Sequence, residues 1–224
     1  MLPLVTPNET NDAFAADFGC NKWLIDSSPK RMIFSHVYGD LVSKDIKPKG
    51  KRLKVLDIGA GVNLCQRIIA ENHDLTVVDL LAHDNLDAAK KYFAATGIEF
   101  FNTDWFDVID SLGSFDIIIS NDLFPNVDQR LIEFLGKSLE KSDVFRVTMT
   151  FFNSLRYYNV KRINADEIMC LRAWSGKDVQ NALTHIWPRL EFKTSGSLDA
   201  TTDSLFENNR LVTLLNYDRT QLTS

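Results

Sequence analysis

Lys54-Val-Leu-Asp-Ile-Gly-Ala-Gly-Val-Asn-Leu-Cys65 (KVLDIGAGVNLC) is an apolar run that takes in one acid, meets two glycines and passes into residues of helical spacing. Val55, Leu56 and Ile58 are residues of a strand buried on both faces, Gly59 and Gly61 punctuate a tight turn, and 62–72 (VNLCQRIIAEN) has the spacing of an amphipathic helix. A strand that runs through such a turn into a helix leaves backbone N–H groups facing outward, with no Cβ to obstruct a ligand. A dinucleotide pyrophosphate would be poorly placed beside Asp57, two residues ahead of Gly59. A carboxylate there suits a cationic ligand instead, one that carries an ammonium or a sulfonium.

Outward from this stretch, short β-rich runs alternate with helical segments. RLKVLDI (52–58), DLTVVDL (74–80), IEFFNTD (98–104), FDIIISND (115–122) and DVFRVTMTFF (143–152) read as strands, most of them apolar on both faces. Between them, 62–72, 83–96 and 127–141 carry apolar residues at helical spacing, with Gly97 as a C-terminal cap. Upstream, Ser28-Pro29 opens a helix over 28–44; downstream, 165–174 and 176–186 read as helices and 189–194 and 210–217 as strands. The pattern predicts a doubly wound, Rossmann-like α/β fold with a seven-stranded, mostly parallel sheet and an antiparallel last strand. One domain is expected over 1–224: a helical cap (1–48), a cofactor-binding half (49–150), and a substrate-side insertion with the C-terminal strands (151–224).

A net charge of −5 gives the whole molecule no bulk attraction for nucleic acid or acidic lipid, so neither is an expected partner. The basic cluster Lys44, Lys47, Lys49, Lys51, Arg52 and Lys54 reads as a linker, being short and without interleaved aromatics. Cys20, Cys65 and Cys170 are odd in number and far apart, which argues against a disulfide framework or a structural zinc site. With no secretory leader and no membrane-spanning run, a cytoplasmic location is expected.

S-adenosylmethionine carries both an ammonium and a sulfonium, and the chain resembles the class I S-adenosylmethionine-dependent methyltransferases. Asp57, Gly59, Ala60 and Gly61 match the family's first motif, an acid followed by Gly-x-Gly; Asn63 replaces its frequent third glycine. The resemblance runs over about residues 50–217. It implies that Asp79 holds the ribose hydroxyls and that Asp104 reads the adenine amino group, with Trp105 or Phe106 stacking on the ring and Leu80 and Leu81 covering its other face. Asn121 and Asp122, ending the fourth strand in SNDLFPN, would face the path of the methyl group. That motif is not the D/N-P-P-Y/F of enzymes that methylate nucleobase amino groups, so no DNA substrate is inferred. The implied cofactor is S-adenosyl-L-methionine, with S-adenosyl-L-homocysteine as product.

A hydroxyl acceptor needs a base, for which Asp122 and His36 are the candidates; an amine or an anionic oxygen needs less help. Each has a plainer reading, Asp122 as a cap for the following helix and His36 as a packed side chain. Asn63 is equally a helix N-cap, His83 caps a helix as readily as it touches ribose, and His185 reads as structural. In SLRYYNVKRINADE (154–167), Arg156, Tyr157, Tyr158 and Arg162 are candidate substrate contacts for a phosphate or carboxylate, or else part of a solvated loop. No His, Asp or Glu cluster calls for a metal. The expected function is methylation, on oxygen or nitrogen, of a small molecule such as an acidic or phosphorylated metabolite or a sugar derivative. Two other readings stand beside it: a non-catalytic cofactor-binding module serving a partner protein, and an NAD(P)-dependent oxidoreductase. The assembly state is not set by the sequence.

Overall fold

The computed structural model describes residues 18–42, 52–153, 156–162, 167–186, 206 and 209–219. β1 (Lys54–Ile58) lies inside the sheet, which explains its composition: Val55, Leu56, Asp57 and Ile58 are all buried. It pairs in parallel with β2 (Asp74–Val78) on one side and β4 (Ile117–Phe124) on the other. β3 (Glu99–Phe101) extends the sheet beyond β2, and β5 (Val144–Phe151) extends it beyond β4, both in parallel. β6 (Tyr157–Arg162) and β7 (Glu167–Arg172) form a separate antiparallel hairpin, and β8 (Leu211–Asp218) pairs antiparallel with β5. The sheet order is β3-β2-β1-β4-β5-β8.

This is the doubly wound, mostly parallel sheet with an antiparallel last strand. Among the described residues it has six strands rather than seven; the strand expected at 189–194 lies outside them. A second correction concerns 165–174, whose apolar residues fit a helical spacing as well as an alternating one. Pairing decides: Val160 faces Met169 and Tyr158 faces Leu171, and β7 forms in place of a helix. Two helices were not anticipated, α1 (Gly19–Asp26) and the single-turn α5 (Trp105–Val108).

α2 (Ser28–Val42), α3 (Leu64–Asn72) and α4 (Leu86–Thr96) cover one face of the sheet, burying Val37, Tyr38, Ile69, Tyr92 and Phe93. α5, α6 (Leu131–Lys141) and α7 (Gly176–Ile186) cover the other, with Trp105, Phe134, Leu135 and Leu183 in the second core. Capping sets the ends. Asn63 and Gln66 form a reciprocal capping box on α3, Asn85 caps α4, and Gly97 closes α4 at φ 70°. Arg52, expected in a linker, instead caps the C-terminal carbonyls of α3 through Ala70 O (2.9 Å) and pairs with Asp74. Lys44 to Lys51 lie outside the described residues. Among the described residues no helix is long and apolar enough to cross a membrane.

β1 and β4 are neighbours from which the chain winds in opposite directions, so a crevice opens at their carboxyl ends. The β4–β5 register also breaks between Ser120 and Phe124, a bulge that lifts Asn121, Asp122 and Leu123 out of the ladder.

Candidate active site

A cavity of about 990 Å³ occupies that crevice, within the size range of small-molecule sites. Its floor is the turn Gly59-Ala60-Gly61. Both glycines have positive φ, 74° and 64°, and both are closely covered: a Cβ at Gly59 would lie 2.5 Å from Leu123 Cδ2, and one at Gly61 2.5 Å from Cys20 Sγ. Sequence thus requires glycine twice, once for the β4 bulge and once for α1.

Asp57 is not where the resemblance implied. Its carboxylate is fully buried behind the turn and does not line the cavity. It accepts from Tyr38 Oη of α2 (3.2 and 3.3 Å) and from Gln66 Nε2 (3.0 Å), and the same Nε2 donates to Gly61 O (2.9 Å). Burial pushes its pKa up to about 7, against the two hydrogen bonds. Asn63 is likewise fully buried as the α3 cap, away from the cavity.

The carboxylates at the cavity's first end are Asp79 and Asp84. Asp79 Oδ2 accepts from Gly61 N (2.7 Å) and Oδ1 from Leu81 N (2.5 Å), so it also holds the turn. Burial raises its pKa, moderated by those two amides. Asp84, which sequence reading passed over for His83, is buried and accepts from Gly19 N (2.8 Å) at the start of α1. Burial, then Asp79 and Asp84, push the neighbouring Cys20 thiol far up, so it stays protonated. Leu80 is an exposed part of the same wall.

Beyond Leu80, Asp104 lines the cavity and caps α5 through Phe106 N (2.9 Å). It is gripped by Arg130 Nη2 at 2.9 and 2.8 Å, and Arg130 also pairs with Asp128. Trp105 is buried in the core, its Nε1 donating to Asp128 (2.7 Å) and its ring under the Arg130 guanidinium at 5.0 Å; exposed Phe106 lies 5.5 Å from the same group. Arg130 was missed because the partner that brings it to the cavity wall, Asp104, is 26 residues away in sequence.

At the opposite end the bulge presents Asn121 and Asp122. Asn121 accepts from Thr148 Oγ1 (2.8 Å). Asp122 sits at φ 61°, a left-handed conformation uncommon outside glycine, and is tied down by Thr148 Oγ1 (2.7 Å to its amide) and Thr150 Oγ1 (3.1 Å to its carboxylate). Lys30 of α2 donates to one of its oxygens, and Arg210 Nη1 lies 3.3 and 3.4 Å from the two. Burial works to raise its pKa, but Lys30 and then Arg210 outweigh it and hold the carboxyl below its ordinary value. Phe206 underlies both cations, 4.0 Å from Arg210 and 5.9 Å from Lys30.

Arg156 and Tyr158 line this end, Arg156 over the Phe152 ring at 4.2 Å and Tyr158 donating to Asn126 O. Tyr157 points away, 68% exposed. Arg162 is placed by its backbone opposite Glu167; its side chain, like that of His185, lies outside what is described. His36 is a correction: the helical face that packs is Ile33, Phe34, Val37 and Tyr38, and His36 is exposed outside the cavity. Among the described residues no group of three or more His, Cys, Asp or Glu is arranged to hold a metal ion.

The sequence matches no protein-family model and no curated protein. Solved structures do resemble it. The N-terminal domain of EvdMO1, crystallised with S-adenosylhomocysteine and D-fucose, aligns with 86% of this chain and 84% of its own at a TM-score of 0.55 and 14% identity. The 1,6-didemethyltoxoflavin-N1-methyltransferase of Burkholderia thailandensis, with 1,6-didemethyltoxoflavin and S-adenosylhomocysteine, aligns over 96% and 92% at a TM-score of 0.52 and 18% identity. The fold is that of the class I methyltransferases. Within this methyltransferase fold, the crevice at the switch between β1 and β4 coincides with the cavity built above from its residues.

Proposed function

We propose that the protein transfers a methyl group from S-adenosylmethionine to a small-molecule acceptor. One observation carries this reading: one cavity has two carboxylates, the partly exposed Asp79 and the buried Asp84, beside a glycine turn at one end and a charged, aromatic-walled chamber at the other. The residues at the first end fit the cofactor chemically, since Asp79 and Asp84 suit a diol and a cation, and Leu80 and Leu81 offer apolar surface to a base. Asp104, with Arg130 against it, borders the far wall.

When bound, S-adenosylmethionine supplies an electrophilic methyl on a sulfonium. The chain's own contribution is placement. Gly59, Gly61 and Asp79 fix the turn, Asn121 and Asp122 project into the cavity from the β4 bulge, and Phe34, Phe152 and Phe206 exclude water from the acceptor side. Asp122, held as a carboxylate by Lys30 and Arg210, is a weak base, which disfavours acceptors that need deprotonation by it. The acceptor is proposed to be an acidic or phosphorylated metabolite or a sugar derivative, methylated on oxygen or nitrogen; Arg156 beside Lys30 and Arg210, and the D-fucose in the EvdMO1 structure, support that range.

Calorimetry with S-adenosylhomocysteine, followed by transfer of an isotopic methyl into metabolite extracts, tests the proposal. Asp79→Ala should weaken S-adenosylhomocysteine about tenfold or more, as expected for losing charge-assisted hydrogen bonds. Stabilisation by NAD(P) and none by S-adenosylhomocysteine would favour an oxidoreductase. Tight cofactor binding with no transfer, and a stable protein partner, would favour a non-catalytic module.

A further inference from the structure

Arg130 stands at the N-cap of α6, where helices favour a short polar side chain that bonds back to the first turn, and it makes no such bond. It reaches instead to Asp104, 26 residues away, and both line the cavity. The guanidinium is held from three sides. Its Nε and Nη2 bond the two oxygens of Asp128 at 3.0 and 2.6 Å, and Nη2 also bonds the two oxygens of Asp104 at 2.9 and 2.8 Å. The Trp105 and Phe106 rings lie 5.0 and 5.5 Å from its central carbon, and Trp105 Nε1 in turn fixes Asp128. An ion pair with its partners 36% and 30% exposed contributes little stability, so what this arrangement secures is orientation.

Two polar positions are left over at this wall. A guanidinium carries five N–H groups, and the two on Nη1 have no partner among the described residues. Asp104 Oδ1 accepts from Phe106 N and from Arg130, whereas Oδ2 accepts from Arg130 alone and keeps an acceptor position. Asp128 occupies the Nε–Nη2 edge of the planar group, so the Nη2 hydrogen that meets Asp104 shares the remaining edge with Nη1. An acceptor and a donor thus stand next to each other. Their order complements a planar base that has an amino group beside an unprotonated ring nitrogen, as adenine does. Hypoxanthine carries a carbonyl and an N–H in those places and opposes both contacts. Leu80 and Leu81, on the same cavity, offer apolar surface to the faces of such a ring.

We propose that Asp104 and Arg130 read the cofactor's base as a pair, Asp104 Oδ2 accepting from the amino group and Arg130 Nη1 donating to the neighbouring ring nitrogen. This rests on the methyltransferase reading and deepens it, making Arg130 a specificity-determining residue for the adenine of S-adenosylmethionine. Arg130 has two parts in this: Nη2 positions the Asp104 carboxylate, and Nη1 meets the base.

The test is calorimetry on the full chain with two ligands, S-adenosylhomocysteine and S-inosylhomocysteine. The parent protein should prefer the adenosyl ligand about a hundredfold or more, since a site built to hydrogen-bond strongly rejects a mismatched analogue. Arg130→Met should weaken S-adenosylhomocysteine about threefold to tenfold while S-inosylhomocysteine holds or improves, because its N–H no longer meets a donor. The preference should shrink to about tenfold or less. Each ratio is read within one protein, so partial unfolding lowers the binding stoichiometry and leaves the ratio alone. Arg130→Lys keeps the charge but lacks the planar fork, and its ratio should lie nearer to that of Arg130→Met than to the parent's. Equal weakening of both ligands in Arg130→Met, or full recovery of the ratio in Arg130→Lys, overturns the paired reading and leaves the methyltransferase reading standing. Failure of S-adenosylhomocysteine to bind the parent protein overturns both together.

Discussion

Asp57 shows how one residue can be correctly singled out and yet act through a different contact. Fully buried between Tyr38 and Gln66, it fixes the amide that holds Gly61 O, so it shapes the turn from behind instead of meeting a ligand. Its pKa of about 7 in the fold lies above the ordinary carboxyl value of 3.8, so the folded chain binds this proton more tightly than the unfolded chain. The stability this confers is complete below about pH 4 and is lost as pH rises through about 7. At about 1.4 kcal/mol per unit, the loss amounts to at most about 4 kcal/mol. Asp57→Asn, which retains an acceptor for Gln66, should therefore gain stability relative to the parent by about 2–4 kcal/mol between pH 4 and 8. Urea denaturation across that range measures the difference, and parallel pH profiles for the two proteins would rule the account out.

Among the elements, the β6–β7 hairpin is the one whose role separates cleanly from the fold. A lone two-stranded hairpin is marginal in water, and this one is held at its base by Ala173 N to Arg156 O (2.8 Å) and at its side by Tyr158 against Asn126 and Phe152. Its positions Tyr158 and Val160 line the part of the cavity proposed for the acceptor, while Tyr157 and Ile168 are each 68% exposed. Because Arg156 and Ala173 are bonded neighbours, residues 157–172 can be replaced by a short glycine turn without opening the sheet. The shortened protein should keep S-adenosylhomocysteine affinity within about threefold, since none of the hairpin lies at the first end of the cavity, and lose methyl transfer. A loss of cofactor affinity as large as that of Asp79→Ala would mean the hairpin belongs to the cofactor half.

Across the molecule, legibility follows locality. The strands around β1, the glycine turn, the Asn63 cap of α3 and the Gly97 cap of α4 were readable because each is set by residues next to one another. The β6–β7 pairing, the burial of Asp57, the exposure of His36 and the Lys30–Asp122–Arg210 cluster were not, because each depends on a partner that only tertiary packing supplies. α2 makes the point most fully. It reaches the glycine turn through Tyr38 and Asp57, the proposed acceptor side of the cavity through Lys30, and β5 through Asp40, which pairs with Arg146 while Val37 O accepts from the same guanidinium (2.8 Å). One rod therefore carries parts of both proposed half-sites. Asp40→Ala removes an anchor that is partly exposed, a change of about 1–2 kcal/mol and about 2–8 °C in Tm. Since the loosened helix bears on both ends of the cavity, the affinities for S-adenosylhomocysteine and for phosphate should fall together, each by about threefold to tenfold. Lys30→Met, by contrast, should lower phosphate affinity while leaving that for S-adenosylhomocysteine within about twofold. Calorimetry on both variants distinguishes these patterns, and an Asp40→Ala protein that loses only phosphate affinity would show that Tyr38 and Asp57 hold the turn without help from the rest of α2.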